Sequence, residues 1–538
     1  MTKQTQTLIR GTLILTLAGI FAKIISVFYK VPLEYITGTV GLGYYAAVYP
    51  LYSMLTAAAL IGIPNSVSKL VAEELALKEY NKAHETFRIA FIITGTLGFI
   101  ISILLFAFSH TILSVFIKEE GSYYALIGLS MAPFFIAIAG AIRGYLQGMQ
   151  IMYPTAISQV IENVFKVVIG IGLVVIILNN TGSIPKAVGG ASLGVSVGLI
   201  ISALFLTYVY MSKRDEIKEN IKNNDAKVKY SRKAIAKKIA YIAVPITIAS
   251  ASYSILLFID ALTLPRMLAQ KLMYENSYVA EGTVILGILS KGQTIINVPL
   301  VISVSLIISI VPAISAANVL KNKAELVSKI KEAIQMAIKL ALPSAVGILV
   351  LADPILTFIY REPEGSDYLR YLAVSLFFMI FAQSLIGILQ GLSMYYAPLI
   401  IVIVASVSKV VANVAFINST TKGYGSLVGT ITFYIVITVL SYIMIKREVA
   451  FKQSFYHAFG KPLIASGIMG IITYLSYSIV YNLVGSNALS VLVAVTIGIS
   501  SYAIVMVFLK AFTKDEIMIL PKHNKIIAWL DKHKLIKE

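Results

Sequence analysis

Residues 143–168 read RGYLQGMQIMYPTAISQVIENVFKVV, and residues 386–411 read IGILQGLSMYYAPLIIVIVASVSKVV. Sliding the chain over itself by 243 residues puts Leu146-Gln147-Gly148 on Leu389-Gln390-Gly391 and Lys166-Val167-Val168 on Lys409-Val410-Val411. The same shift lays Ile112-Leu113-Ser114 on Ile355-Leu356-Thr357 and Lys118-Glu119 on Arg361-Glu362. Nearby shifts pair Tyr49-Pro50-Leu51 with Val298-Pro299-Leu300 and Ile63-Pro64 with Val311-Pro312. The chain therefore contains an internal duplication, and the hydropathy around it says what each copy is made of.

Of the 538 residues, 58% are hydrophobic and 13% charged, with a mean hydropathy of +0.84. A soluble protein carries about twice that share of charge. A bilayer core about 30 Å thick needs about 20 apolar residues per helix, and runs of that length recur at 8–29, 42–64, 87–109, 122–147, 154–178 and 187–210. Further runs lie at 239–262, 283–312, 337–360, 368–391, 398–418, 424–445, 461–482 and 488–511. The expected fold is an all-α polytopic membrane protein of fourteen transmembrane helices. Its repeat unit is six helices, so the two copies insert with the same orientation. Parallel repeats of this kind are a transporter architecture with substrate bound between the lobes. The expected organisation is an N-lobe at 1–211, a basic inter-lobe linker at 212–238, a C-lobe at 239–446, helices 13 and 14 within 447–511, and an amphipathic tail at 512–538 around Ile526, Trp529 and Leu530.

Charge sets the orientation. The segments assigned to the inner side hold 33 of the 45 Lys and Arg, and the opposite loops hold eight, Lys30 and Arg266 among them. Both termini are then cytoplasmic by the positive-inside rule, and the chain is a multi-pass protein of the cell membrane. The net charge of +19 reads as this topology signal and as attraction to anionic membrane lipids, with no nucleic acid partner. Enzyme chemistry is absent from the pattern. There is no Cys, the five His show no metal-ligand spacing, and no phosphate-binding glycine loop is present. No cofactor is expected. Energy would come from the membrane potential or from Na⁺ or H⁺ coupling.

An ionisable side chain within a span costs about 2.5–3.5 kcal/mol on insertion scales. Lys23, Lys166, Lys291 and Lys409 are placed so, with Glu162 near the midplane and Asp260 and Asp353 near outer span ends. Glu162 precedes Lys166 by four residues, shares its helix face and can cancel its charge. At the equivalent place before Lys409 stands Ala405, so no carboxylate matches. Snorkelling to headgroups is the plain reading of Lys23 and Lys291. Read together, the four lysines leave a cationic excess that suits an anionic cargo. Gln159 and Asn163 beside Lys166, Gln293, Thr294 and Asn297 beside Lys291, and Asn413 beyond Lys409 fit a wet cleft, and equally fit interhelical hydrogen bonds.

Three segments carry a family resemblance: RGTLILTLAGIFAKIISVFYKVPL at 10–33, GLGYYAAVYPLYSMLTAAALIGIPNSVSKLVAEELALKEYNKA at 41–83, and RGYLQGMQIMYPTAISQVIENVFK at 143–166. They resemble the stage V sporulation protein B and polysaccharide-exporter branch of the multidrug/oligosaccharidyl-lipid/polysaccharide superfamily, which includes MurJ-like lipid II flippases. The resemblance implies a V-shaped, MATE-like pair of lobes working by alternating access, with helices 13 and 14 bordering a groove for a lipid tail. It also implies cavity-facing basic residues in helices 1 and 8, where Lys23 and Lys291 fall.

The substrate-binding set expected from these readings is Lys23, Lys166, Lys291, Lys409, Glu162, Gln159, Asn163, Gln293 and Asn297. The expected function is a monomeric flippase for an undecaprenyl-diphosphate-linked cell-wall precursor, lipid II first. The rivals are export of another lipid-linked oligosaccharide, cation antiport, and a non-transporting scaffold for wall or spore-coat synthesis.

Overall fold

The structure, a computed structural model, describes the backbone of residues 3–57, 59, 62–222, 231–274, 277–394, 396–451 and 454–511. The side chains of 3–24, 26–28, 220–222, 274, 277, 304–310 and 312 lie outside that description. The tail at 512–538 and the middle of the linker, 223–230, also fall outside it.

The elements run α1 (Lys3–Ala57), α2 (Ile63–Ala76), α3 (Tyr80–Ala107), α4 (Ser109–Thr111), α5 (Tyr123–Leu129), α6 (Ala132–Gly148), α7 (Tyr153–Thr181), α8 (Ile184–Ser212) and α9 (Arg214–Lys222). Next come α10 (Arg232–Ser250), α11 (Ser252–Met267), strands β1 (Lys271–Tyr274) and β2 (Ser277–Ala280), α12 (Glu281–Val319), α13 (Lys323–Val350) and α14 (Ala352–Tyr360). The chain closes with α15 (Ser366–Gly391), α16 (Tyr396–Phe416), α17 (Tyr424–Glu448), α18 (Lys461–Val484) and α19 (Asn487–Phe508). Among the described residues the fold is nearly all helix, with one antiparallel hairpin that the hydropathy pattern does not announce.

The duplication is written into the backbone. Both ends of α3 recur 243 residues later as the ends of α13, and Ser109–Ile117, α4 with its π turn, recurs as α14. The same displacement carries the end of α6 to the end of α15 and the start of α7 to the start of α16. Left-handed backbone costs a non-glycine residue about 1 kcal/mol or more. Yet Lys78 (φ 60°), Lys118 (64°) and Gln150 (62°) have mates in Lys321 (53°), Arg361 (62°) and Ser393 (63°) at that one offset. Conformations of this cost recur in register because the two copies share the turns that end their helices.

Among the described residues eleven helices are long and apolar enough to cross a membrane, or twelve if the bent pair α10 and α11 is one span. The expected count of fourteen is therefore not confirmed. The run 8–29 and the part of 42–64 up to Ala57 lie along the single element α1, which breaks at Gly38 (φ 69°, ψ −178°) with helix on either side. Glycine alone enters that conformation without a Cβ clash. Lys30, expected in an outer loop, is thus a helical residue, and so is Arg143, which lies in α6 and not in an inner loop. The run 337–360 is also divided, because α13 begins at Lys323 and ends before Leu351. Asn322 starts it by accepting a hydrogen bond from the Glu325 amide at 3.3 Å, a cap that satisfies one of the helix's open N–H groups.

The chain divides into two compact units, Met1–Ser290 with Tyr395–Gly429, and Lys291–Met394 with Thr430–Glu538. In the first unit, Val67, Leu70 and Val71 of α2, Phe87 of α3, Ile142 and Tyr145 of α6, Leu206 of α8 and Ile235 of α10 form one buried cluster. The rings of Phe87 and Tyr145 stack at 4.4 Å. Helices α7 and α8 lie so close that a Cβ on Gly194 would stand 2.2 Å from Gly170 Cα, the close approach small residues permit between membrane helices. In the second unit α18 and α19 dock through polar tips: Tyr477 Oη donates to Asn487 Oδ1 at 2.9 Å, Asn487 Nδ2 donates to the Pro354 carbonyl at 3.0 Å, and Tyr502 Oη donates to the Lys339 carbonyl at 2.9 Å. Large apolar side chains of α3, such as Phe99, Ile100 and Ile103, point outward and exposed. A helix with that surface belongs in acyl chains, where no water is needed because its backbone bonds are internal.

Candidate functional site

The polar heart of the first unit forms where α7 meets α1. Tyr45, Tyr49 and Tyr52 recur along α1 at helical spacing and line one face, with Tyr45 and Tyr49 stacked at 4.9 Å and Tyr49 and Tyr52 at 5.3 Å. Tyr29 joins them 5.7 Å from Tyr45 and donates its hydroxyl to the Ala191 carbonyl at 2.7 Å. Lys166, buried on α7, places its ammonium 4.7 Å from the Tyr29 ring centre and 5.3 Å from that of Tyr49. Lys30 approaches the same Tyr49 ring at 5.7 Å and donates to Ser290 Oγ at 2.9 Å. Two lysine side chains thus share one aromatic ring in the interior of the first unit. A ring face attracts a cation by about 0.5–2 kcal/mol, which offsets part of the cost of holding the charge there.

Glu162 has hydrogen-bond partners on two other helices. Its Oε2 accepts from Arg143 Nη2 at 3.1 Å and its Oε1 from Tyr52 Oη at 3.3 Å. Arg143, 2% exposed, also donates from Nε to Ser158 Oγ at 3.0 Å and from Nη2 to Ser202 Oγ at 3.1 Å. Its planar fork joins α6 to α7 and α8, a geometry a lysine could not match. Gly198 lets α8 press against this point, since a Cβ there would lie 2.5 Å from the Glu162 carbonyl oxygen.

Lys409, the repeat mate of Lys166, has different company. Its ammonium stands 2.8 Å from Asp260 Oδ1, on α11, and 3.4 Å from the Ser426 carbonyl. As the sequence has it, no carboxylate stands at the place matching Glu162, and the counter-ion of Lys409 comes from another helix. Asn413, one turn beyond, donates to Asp260 Oδ1 at 3.1 Å and to Thr263 Oγ1 at 2.8 Å. In the second unit Lys291, also buried, pairs with Glu364 Oε2 at 3.3 Å and lies 5.8 Å from the Tyr360 ring. Gln293 and Asn297 are half-buried on the same helix, and Thr294 is buried. Gln159 and Asn163 are half-buried, and Asn163 donates back to the Gln159 carbonyl at 2.9 Å, within its own helix. The side chain of Lys23 lies outside the described residues.

Lys30, Arg143 and the tyrosines were not in the expected site. Both basic residues sit at the edges of apolar runs, where a hydropathy reading assigns charge to loops. The tyrosine spacing on α1 was the available signal, a stripe of polar-tipped rings in a span. Among the described residues no group of three or more His, Asp or Glu could hold a metal ion. Between α4 and α5 Glu119, outside the spans, accepts from the Gly121 amide at 3.0 Å and from the Thr283 hydroxyl. Burial pushes its carboxyl above the usual range, against smaller downward pulls from those two hydrogen bonds and Lys271.

A duplicated, polytopic helical chain with buried basic residues is a membrane protein of the transporter fold shared by the multidrug/oligosaccharidyl-lipid/polysaccharide superfamily. It belongs to the polysaccharide biosynthesis protein family, whose model matches residues 8–318, and a MatE family model matches 273–415. The chain is 26% identical over 486 residues to "Lipid II flippase MurJ" of Bacillus subtilis (strain 168), covering 86% of this chain and 87% of that one. To "Stage V sporulation protein B" of the same organism it is 24% identical over 535 residues, covering 97% and 99%. The structure resembles that of "Lipid II flippase MurJ, inward closed conformation" with a TM-score of 0.65, at 15% identity, over 92% of this chain and 98% of that one.

Proposed function

We propose that this protein is a flippase that carries an undecaprenyl-diphosphate-linked cell-wall precursor, lipid II first, from the inner to the outer leaflet by alternating access of two lobes, 1–211 and 239–446. The observation that carries this reading is the pair Lys30 and Lys166 on either contact of Tyr49, at 5.7 and 5.3 Å. Two ammonium groups and a tyrosine hydroxyl suit a diphosphate, whose oxygens accept hydrogen bonds and whose charge offsets the cost of burying cations. Lys23, Lys291 and Lys409 complete the cationic set in this reading, with Lys291 and Lys409 held by carboxylates until a substrate competes for them. The lipid tail stays in the bilayer beside α18 and α19. With both termini cytoplasmic and the interior negative, outward passage of two negative charges is favoured by roughly 4–5 kcal/mol per 100 mV. The cycle then needs no ATP, no cofactor and no second subunit.

The match to the polysaccharide biosynthesis family supports a second reading, another lipid-linked oligosaccharide with the same diphosphate. The test is protein reconstituted into vesicles with labelled lipid II under an imposed potential. Transfer faster than in empty vesicles supports the first reading. Transfer of a different undecaprenyl-diphosphate oligosaccharide alone supports the second, and transfer of neither refutes both.

A further inference from the structure

Helix α10 starts within the basic linker, and its first half carries four basic residues, Arg232, Lys233, Lys237 and Lys238. Ser231 caps it, the hydroxyl oxygen accepting from the Ala234 amide at 3.4 Å. Ile235, Ile239 and Ala243 recur at helical spacing and are buried on the inward face. Two of the basic residues are engaged within the protein, Arg232 with Glu85 of α3 at 3.0 Å and Lys238 with Glu73 of α2 at 3.4 Å. These pairs and the buried isoleucines fix the rotation of the helix. Lys233 and Lys237 are left exposed on the opposite face, which continues through Tyr241 and Val244, also exposed. Followed along the helix, that face passes from charge to a polar-tipped ring to aliphatic carbon.

Helix α16 repeats the change at the same level. Its first residue, Tyr396, has its ring 5.2 Å from that of Tyr241 and donates its hydroxyl to the Tyr241 carbonyl at 3.4 Å. Beyond it Ile400, Ile403, Val407 and Val414 are exposed along one side of a helix long and apolar enough to cross a membrane. An aliphatic stripe of that length suits acyl chains and not a wet cleft. Tyrosine collects where acyl chains meet headgroups, so the two rings mark that boundary. At 1.5 Å per residue Lys237 stands roughly 6 Å, and Lys233 roughly 12 Å, from Tyr241 toward the linker. The headgroup layer is about 5–7 Å deep on each side of a bilayer. Lys237 is then level with the phosphates, and the long stem of Lys233 can bring its ammonium down to them.

We propose that Lys233 and Lys237, at the depth set by Tyr241 and Tyr396, form a binding site for one anionic phospholipid of the inner leaflet on the surface of the first unit. The leaflet follows from reading the linker as cytoplasmic. The two ammonium groups donate to the phosphate oxygens, bonds strengthened by charge on both sides, and the acyl chains lie along Val244 and Ile400. A zwitterionic headgroup carries its own cation and gains less from the lysines. The site shares no residue with the candidate cargo site, so it holds whether or not the flippase reading does.

The experiment is native mass spectrometry of the full chain in detergent, titrated with dioleoylphosphatidylglycerol or with dioleoylphosphatidylcholine. Wild type binds the first phosphatidylglycerol about tenfold more tightly than phosphatidylcholine, the scale set by two lysines at a membrane surface. Lys233→Gln with Lys237→Gln brings the two lipids within about threefold of each other and leaves phosphatidylcholine binding unchanged. Lys218→Gln with Lys323→Gln removes the same charge from two other exposed positions and keeps the tenfold preference. Absence of a preference in wild type, its survival in the Lys233 and Lys237 variant, or its equal loss in both charge variants each overturns the site. All four lysines are exposed, so both variants fold, and thermal melts check this. Undecaprenyl diphosphate, titrated in the same way, binds the Lys233 and Lys237 variant as it binds wild type. If its affinity falls together with that of phosphatidylglycerol, the surface serves the cargo and the phospholipid assignment fails.

Discussion

Lys166 and Lys409 occupy the same position in the two repeats, 243 residues apart, yet the first faces two tyrosine rings and the second is 2.8 Å from Asp260. Duplication copied the lysine and the helix that carries it. It did not copy the neighbours, and the two charges have come to different uses: one faces a set of polar-tipped rings, and the other holds α16 to α11.

Breaking the second arrangement should cost stability. Removing one member of a buried ion pair strands the other and typically costs about 3–5 kcal/mol. Asp260→Asn and Lys409→Ala are each expected to lower the melting temperature of the purified protein sharply. Asp260→Asn with Lys409→Met, which removes both charges, should recover most of the loss. Equal melting of single and double variants would show that the pair is not coupled.

Changes at Lys30 and Lys166 should act on transport. Each alanine variant is expected to reduce lipid II flipping by about tenfold, a loss of ~1.4 kcal/mol of interaction, with a melting temperature near that of wild type. Flipping assays on reconstituted variants, run beside thermal melts, separate this outcome from a folding defect.

Close packing of α7 on α8 predicts intolerance to the smallest side chain. A methyl on Gly194 meets Gly170 Cα at 2.2 Å, and one on Gly198 meets the Glu162 carbonyl oxygen at 2.5 Å. Because both obstacles are backbone, Gly194→Ala and Gly198→Ala must part the helices. Overpacking of this kind costs about 1–3 kcal/mol, while Gly172→Ala, where a Cβ meets nothing within 4 Å, should be neutral or stabilising. Melting temperatures of the three variants check the ordering.

Glu119 makes stability depend on pH. Its folded-state pKa is raised, chiefly by burial, so folding favours the protonated carboxyl. The stabilisation is full below the ordinary carboxylate range and is lost as pH rises through the raised value. Melting temperature should therefore fall with rising pH above that range, and Glu119→Gln, which keeps a hydrogen-bonding group without the charge, should flatten that fall. An unchanged slope in the variant would assign the pH dependence to other groups.

Much of the fold was legible because its signals are local. The Leu-Gln-Gly and Lys-Val-Val matches mark helix ends and helix positions that recur in the structure, and apolar runs report membrane burial wherever they occur. Gly38 was harder to read. A glycine in a short charged stretch looks like a loop, and only the coordinates show helix continuing through Lys30 on one side and Tyr45 on the other. Arg143 was missed for the same reason, a charge at the margin of an apolar run.

Partnership was the part that no spacing rule could supply. Glu162 and Lys166 are helical neighbours, a relation that spacing alone shows, but the hydrogen bonds of a buried carboxylate go to whichever donors the packing delivers. Here those are Arg143 and Tyr52, from two other helices. The amino-acid order alone established a duplicated chain of membrane helices with lysines inside them, since hydrophobic length and repeated turns are properties of contiguous residues. Which acids and which rings those lysines meet was decided only by the tertiary structure, because in a low-dielectric interior a charge is governed by the nearest groups in space, and many of those come from distant parts of the chain.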